Sequence, residues 1–157
     1  ILDNKEKFQK VEFIKGSILI INLKKFKNKD LFDENFFFFF EEIDLCRKVK
    51  ALKQNVYVLM FEKVIHFGSG STSIEHQKYV NFRNWNYLWS SFYYNKKYYG
   101  FLFSFFKHLS KLFRYLIGTI FFFFLSKNRF LSNKFRFLGL LSSMLGIKSI
   151  KSSKFLD

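Results

Sequence analysis

The sequence predicts an α/β sheet fragment followed by amphipathic helices that associate with a membrane surface, and three observations carry that reading. Two short apolar runs, residues 18–21 and 56–60, flank a helix-periodic segment that begins at Glu41. A Gly/Ser run at residues 68–73 closes this first half. Beyond Glu75 the chain turns aromatic and basic. Residues 76–157 hold 14 Lys and Arg against the single acid Asp157, whereas residues 1–75 hold 13 against 11. The expected division is therefore 1–75 and 76–157.

Taken in order, residues 1–13 are mixed and read as the end of an earlier element. Gly16-Ser17 opens the run Ile18-Leu19-Ile20-Ile21, which reads as a buried strand at about 16–22. Lys24 to Lys29 is a polar connection with room for one helical turn, and residues 31–35 read as a turn. Five phenylalanines, Phe36 to Phe40, then run directly into Glu41, Glu42 and Asp44. Leu45, Val49 and Leu52 follow at helical spacing, with acids early and Arg47, Lys48, Lys50 and Lys53 later, as the helix dipole favours. Asn55 can end this helix, and residues 56–60 read as a second buried strand. Two or three strands cannot close a sheet, so residues 1–75 read as part of a larger α/β layer.

The second half reads as helical. Within residues 98–126 the uncharged runs are nine residues (98–106) and twelve (115–126), short of the roughly 18–20 that span a bilayer. Ser104, Lys107, Lys111, Arg114 and Gly118 step by three and four, so they form a narrow polar stripe on an otherwise apolar helix. That pattern fits a helix lying in a membrane interface, with Lys107, Lys111 and Arg114 reaching the headgroups. A second amphipathic helix is expected at about 130–145. The one cysteine, Cys46, excludes an internal disulfide and a multi-cysteine metal site.

Two features have the chemistry of a site. Acids at a helix start are commonly structural, because the dipole favours them there. Helical facing nevertheless separates the three: Glu42 lies three and four residues before Leu45 and Cys46, on the buried side, while Asp44 precedes Arg47 and Lys48 and is expected to pair along the solvent face. His66 directly precedes the Gly/Ser run. A lone histidine after a strand is often structural; here the loop's backbone amides could also approach phosphate oxygens.

The order of Gly16-Ser17, then LFDENFFFFFEEIDLCRK (31–48), then KVIHFGSGST (63–72), resembles the C-terminal half of glycosyltransferase family 2 catalytic domains, in the rhamnosyltransferase-like branch. The resemblance is close over about residues 14–75 and loose over 76–125. It implies a partial GT-A, Rossmann-like sheet and a nucleotide-binding half preceding Ile1. It implies Glu42 as the general base on an acceptor hydroxyl, with Glu41 and Asp44 beside it in the catalytic motif. It places His66, Gly16 and Ser17 near the donor diphosphate or metal, His66 being the candidate metal ligand.

The same resemblance implies a divalent cofactor, Mg²⁺ or Mn²⁺, whose Asp-x-Asp ligands are absent from these 157 residues. It implies a dTDP- or UDP-linked sugar donor, a glycan or lipid-linked acceptor, and a peripheral position on the cytoplasmic face of a bacterial inner membrane. The base position holds Glu where Asp is commoner. Two other readings stay open on the residues themselves. One is a non-enzymatic membrane-surface protein whose acids merely start a helix. The other is a nucleic-acid binder using the basic aromatic half; the apolar character of residues 98–126 favours a membrane and no nucleic acid.

Overall fold

A computed structural model of the protein describes residues 7–15, 18–26, 31–60, 63, 65 and 76–151. Among them are four α-helices, a short 3-10 turn at Leu23–Lys25 and one two-stranded antiparallel sheet, so the protein is α-rich. The described residues belong to two compact units, one drawn from residues 1–33 and 41–72, the other from 34–40 and 73–157.

In the first unit, strand β1 (Phe8–Val11) precedes helix α1 (Glu41–Ala51) and strand β2 (Val56–Leu59). β1 and β2 pair antiparallel, with Phe8 opposite Leu59 and Val11 opposite Val56, and Met60 N–H adds one more bond to Lys7 O at 3.2 Å. The expected strand at 16–22 is corrected in its described part: residues 18–22 form no strand, and Ile20 is 87% exposed. Gly16 and Ser17 lie outside the described residues. The partner of β2 comes instead from residues 8–11, where Gln9 and Lys10 hide the strand character that pairing supplies. The result is a two-stranded ribbon with Tyr57 and Val58 exposed, where a buried layer was expected.

α1 begins and ends as its backbone chemistry dictates. Phe39 and Phe40 both adopt left-handed conformations, φ 67° and 70°, so the chain turns sharply before Glu41. Each such non-glycine residue costs roughly 1–2 kcal/mol. At the other end Gln54 N–H bonds Val49 O and Lys53 N–H bonds Lys50 O, with Lys53 at φ 56°. This is a Schellman ending with lysine in the position that glycine usually takes. Leu45 and Cys46 supply the buried apolar face.

The second unit is a bundle of α2 (His76–Tyr99), α3 (Phe101–Phe122) and α4 (Lys127–Met144). Gly100 joins α2 to α3 at φ 85°, ψ 167°, a region essentially restricted to glycine. Trp85, Trp89 and Phe135 form one buried cluster between α2 and α4. Leu88, Phe92 and Leu140 form another, closed by Leu112 and Tyr115 of α3. The helices approach closely because Gly139 has no side chain: a Cβ there would run into the carbonyl oxygen of Trp85.

The phenylalanine run belongs to this unit and packs along α2. Phe36 meets Tyr93, Phe38 meets Phe82, and Phe39 and Phe40 meet Tyr87, with ring centroids 4.9–6.1 Å apart. Ser90 Oγ fixes the run by donating to Phe38 O at 2.9 Å. Among the described residues no helix is long and apolar enough to cross a membrane.

Candidate functional site

The structure gathers Glu41, Glu42 and Asp44 on the first turn of α1. The acids satisfy the electrostatics of a helix start, yet they are poorly solvated for that role. Glu41 and Glu42 are each half-buried, and each has one carboxylate oxygen, Oε2, buried with no hydrogen-bond partner. Burial pushes the Glu41 carboxyl above the usual glutamate range; a bond from its own backbone N–H works against this, and the neighbouring Glu42 carboxylate adds to the rise.

Asp44 departs from expectation in one respect. It is completely buried, where the solvent face was expected, although its predicted pairing forms: Oδ2 lies 3.4 Å from Lys48 Nζ. The reason is that α1 buries a wide arc, with Asp44, Leu45 and Cys46 consecutive in it. Lys48 also donates to Leu31 O at 3.3 Å, which ties the helix to the preceding turn.

His66, Gly16 and Ser17, the residues assigned to the donor or metal, lie outside the described residues. Among the described residues no group of three or more His, Cys, Asp or Glu could hold a metal ion.

Lys107, Lys111 and Arg114 are all exposed on α3, in the other unit. Their stripe-mates are not. Ser104 is completely buried, and Gly118 approaches α4 so closely that a Cβ would meet Asn133 Oδ1 at 2.7 Å. The polar stripe is thus the edge of the packed side of α3, with Lys107 Nζ reaching Asn95 Oδ1 of α2 at 2.8 Å. The outward side is apolar, with Leu102 at 71%, Phe106 at 69% and Ile120 at 69% exposed.

Two arrangements escaped the sequence reading. One is a buried polar seam between α2 and α3, where His108 bonds Ser91 and Ser104. His108 is completely buried, so the seam is structural and out of reach of a substrate. The other is a groove of about 660 Å³ between α3 and α4, lined by Arg114, Arg129 and Arg136 among others. The i, i+3/i+4 spacing of Arg129, Ser132, Asn133 and Arg136 was legible as one helix face; its meeting with Arg114 was not.

Comparison with protein-family models, with curated proteins and with solved structures found no match to this chain.

Proposed function

We propose that the chain is the acceptor-side part of an inverting glycosyltransferase of GT-A type, carried at an anionic membrane surface by its basic helical part. The observation that carries the enzymatic reading is the start of α1: two adjacent glutamates, each with a buried and unbonded carboxylate oxygen. A carboxylate with spare acceptor capacity is what a general base needs, and Glu42 has it at Oε2.

In this reading Glu42 removes the proton from an acceptor hydroxyl as that oxygen attacks the anomeric carbon of the nucleotide-linked sugar. The configuration inverts and the nucleoside diphosphate departs. Glu41 stands beside the base on the same turn, and Asp44, paired with Lys48, supports the helix. The Asp-x-Asp ligands that this reading requires for a divalent ion are absent from these 157 residues.

The test is sugar transfer by an intact protein that contains this segment, with Glu42→Gln. Loss of the base should lower kcat by roughly 10²–10⁴-fold with the protein still folded. Transfer at a near-normal rate removes the assignment.

The exposed apolar face of α3 also supports a second reading, a membrane-surface protein without catalysis. In that case Glu42→Gln changes nothing, and vesicle adsorption is the whole activity.

A further inference from the structure

We infer that the groove between α3 and α4 binds the phosphate headgroup of an anionic membrane lipid. The inference rests on the membrane-surface part of the reading above and is independent of its sugar-transfer part.

Three arginines line this groove, and from His76 to Lys151 the chain has no Asp or Glu to neutralise them. Such a cluster repels itself unless an anion completes it. The arginines are also held in place. Arg136 Nε donates to Asn84 Oδ1 at 3.1 Å, and its guanidinium lies 5.7 Å from the Tyr115 ring. Arg129 lies 5.3 Å from the Phe122 ring. Both guanidinium groups are thus steadied from one side, with further N–H donors in the fork geometry that suits phosphate oxygens.

The start of α4 adds to the same field. Its first turn carries Lys127 and Arg129 and no acid, against the helix dipole, and Ser126 makes no side-chain cap bond. Asn128, which follows Lys127, also lines the groove. Three arginines and a residue of the first turn of an 18-residue helix therefore line one volume.

The apolar side of the groove selects an amphiphile over a free ion. Ile117, Phe121 and Phe122 line it, and Ile117 and Phe121 are 63% and 62% exposed. These residues continue into the outward face of α3. A phosphate seated among the arginines would therefore leave its hydrocarbon chain along that apolar face, in register with a bilayer. Gly118 makes the floor, since its missing side chain lets Asn133 close against α3.

The experiment titrates the full chain with short-chain, monomeric phosphatidic acid by calorimetry, with inorganic phosphate in parallel. Arg114→Gln/Arg129→Gln is compared with Lys148→Gln/Lys151→Gln, an equal charge change at exposed positions of the same unit. The arginine pair should bind the lipid about 30-fold more weakly than wild type, and the lysine pair should bind normally. Equal losses in the two pairs would mean diffuse attraction and overturn the groove. Inorganic phosphate binding as tightly as the lipid would overturn the role of the apolar wall. Adsorption to phosphatidylcholine vesicles containing phosphatidic acid is measured separately. Adsorption indifferent to both arginines removes the groove and leaves the membrane reading standing; lipid binding without adsorption does the reverse.

Discussion

Ser91 Oγ lies 3.1 Å from His108 Nε2, a hydrogen bond that joins α2 to α3 in the interior of the bundle. The other ring nitrogen, Nδ1, lies 2.9 Å from Ser104 O, which can only accept. The proton must therefore sit on Nδ1, and Ser91 donates to Nε2. The imidazole is neutral and both its nitrogens are satisfied.

This pairing makes the helical unit acid-sensitive. Burial lowers the His108 pKa, the Ser104 bond opposes that, and Lys111 and Lys107 lower it further. With the folded value below the ordinary one of about 6.5, the unfolded chain takes up the proton first. The contribution is whole above that ordinary value and is lost as pH falls from it toward the folded pKa. Urea midpoints should drop over that window in the wild type and not in His108→Leu. The Leu variant should itself be destabilised by roughly 1–3 kcal/mol, because Ser91 loses its partner.

Glu41 should behave in the opposite sense. Its folded pKa is raised, so ionising it in the fold costs stability as pH rises from the ordinary glutamate value of about 4.3 through the folded value. Glu41→Gln should therefore raise the unfolding midpoint at neutral pH, and the gain should vanish below that ordinary value. A variant less stable than wild type at neutral pH would show that the carboxylate is structural, which would weaken the case for chemistry at this helix start.

The sequence pattern exposed the helices better than the sheet, for a physical reason. Acids followed by Leu45 and Val49 at helical spacing are local signals, and α1 forms where they place it. The helical second half and its last helix are local too, whereas the break at Gly100 was not foreseen. β1 has no such signal: Phe8 to Val11 becomes a strand by pairing with residues nearly fifty positions away. Nothing local in five phenylalanines marks Phe39 and Phe40 as left-handed. The candidate carboxylates were readable because they are contiguous. The arginine groove was not, because Arg114 and Arg129 meet only when α3 and α4 pack.

The two Schellman endings give a matched pair of backbone tests. α1 ends on Lys53 at φ 56°, and α4 ends on Gly146 at φ 76°, where Ile147 N–H bonds Ser142 O and Gly146 N–H bonds Ser143 O. Lys53 is exposed and has no packing to lose. Lys53→Gly should stabilise by about 0.5–1 kcal/mol and Gly146→Ala should destabilise by about 1 kcal/mol. Chemical denaturation of the two variants checks both signs.

Gly139 tests the closeness of the α2–α4 contact. A methyl there meets the backbone of Trp85, which cannot swing aside as a side chain can. Gly139→Ala should cost about 2–3 kcal/mol, the range of an overpacked core. Gly118→Ala should cost less, because the atom in its way is the end of the Asn133 side chain, which can rotate. Equal costs would mean that the helices separate as readily at one crossing as at the other.

The outward face of α3 should be the part of the bundle that enters a bilayer. Phe106 and Ile117 are 69% and 63% exposed, so serine at either position removes little from the folded core. Each does remove apolar surface that a membrane would cover, roughly 1.5–2 kcal/mol or about tenfold in partitioning. Phe106→Ser/Ile117→Ser should therefore adsorb far more weakly to anionic vesicles while unfolding at the wild-type urea concentration. Arg114→Gln/Arg129→Gln should instead weaken adsorption to anionic vesicles and spare the weaker adsorption to neutral ones. A Phe106→Ser/Ile117→Ser protein that still adsorbs like wild type would remove this face from the contact and leave charge alone to hold the chain at the surface.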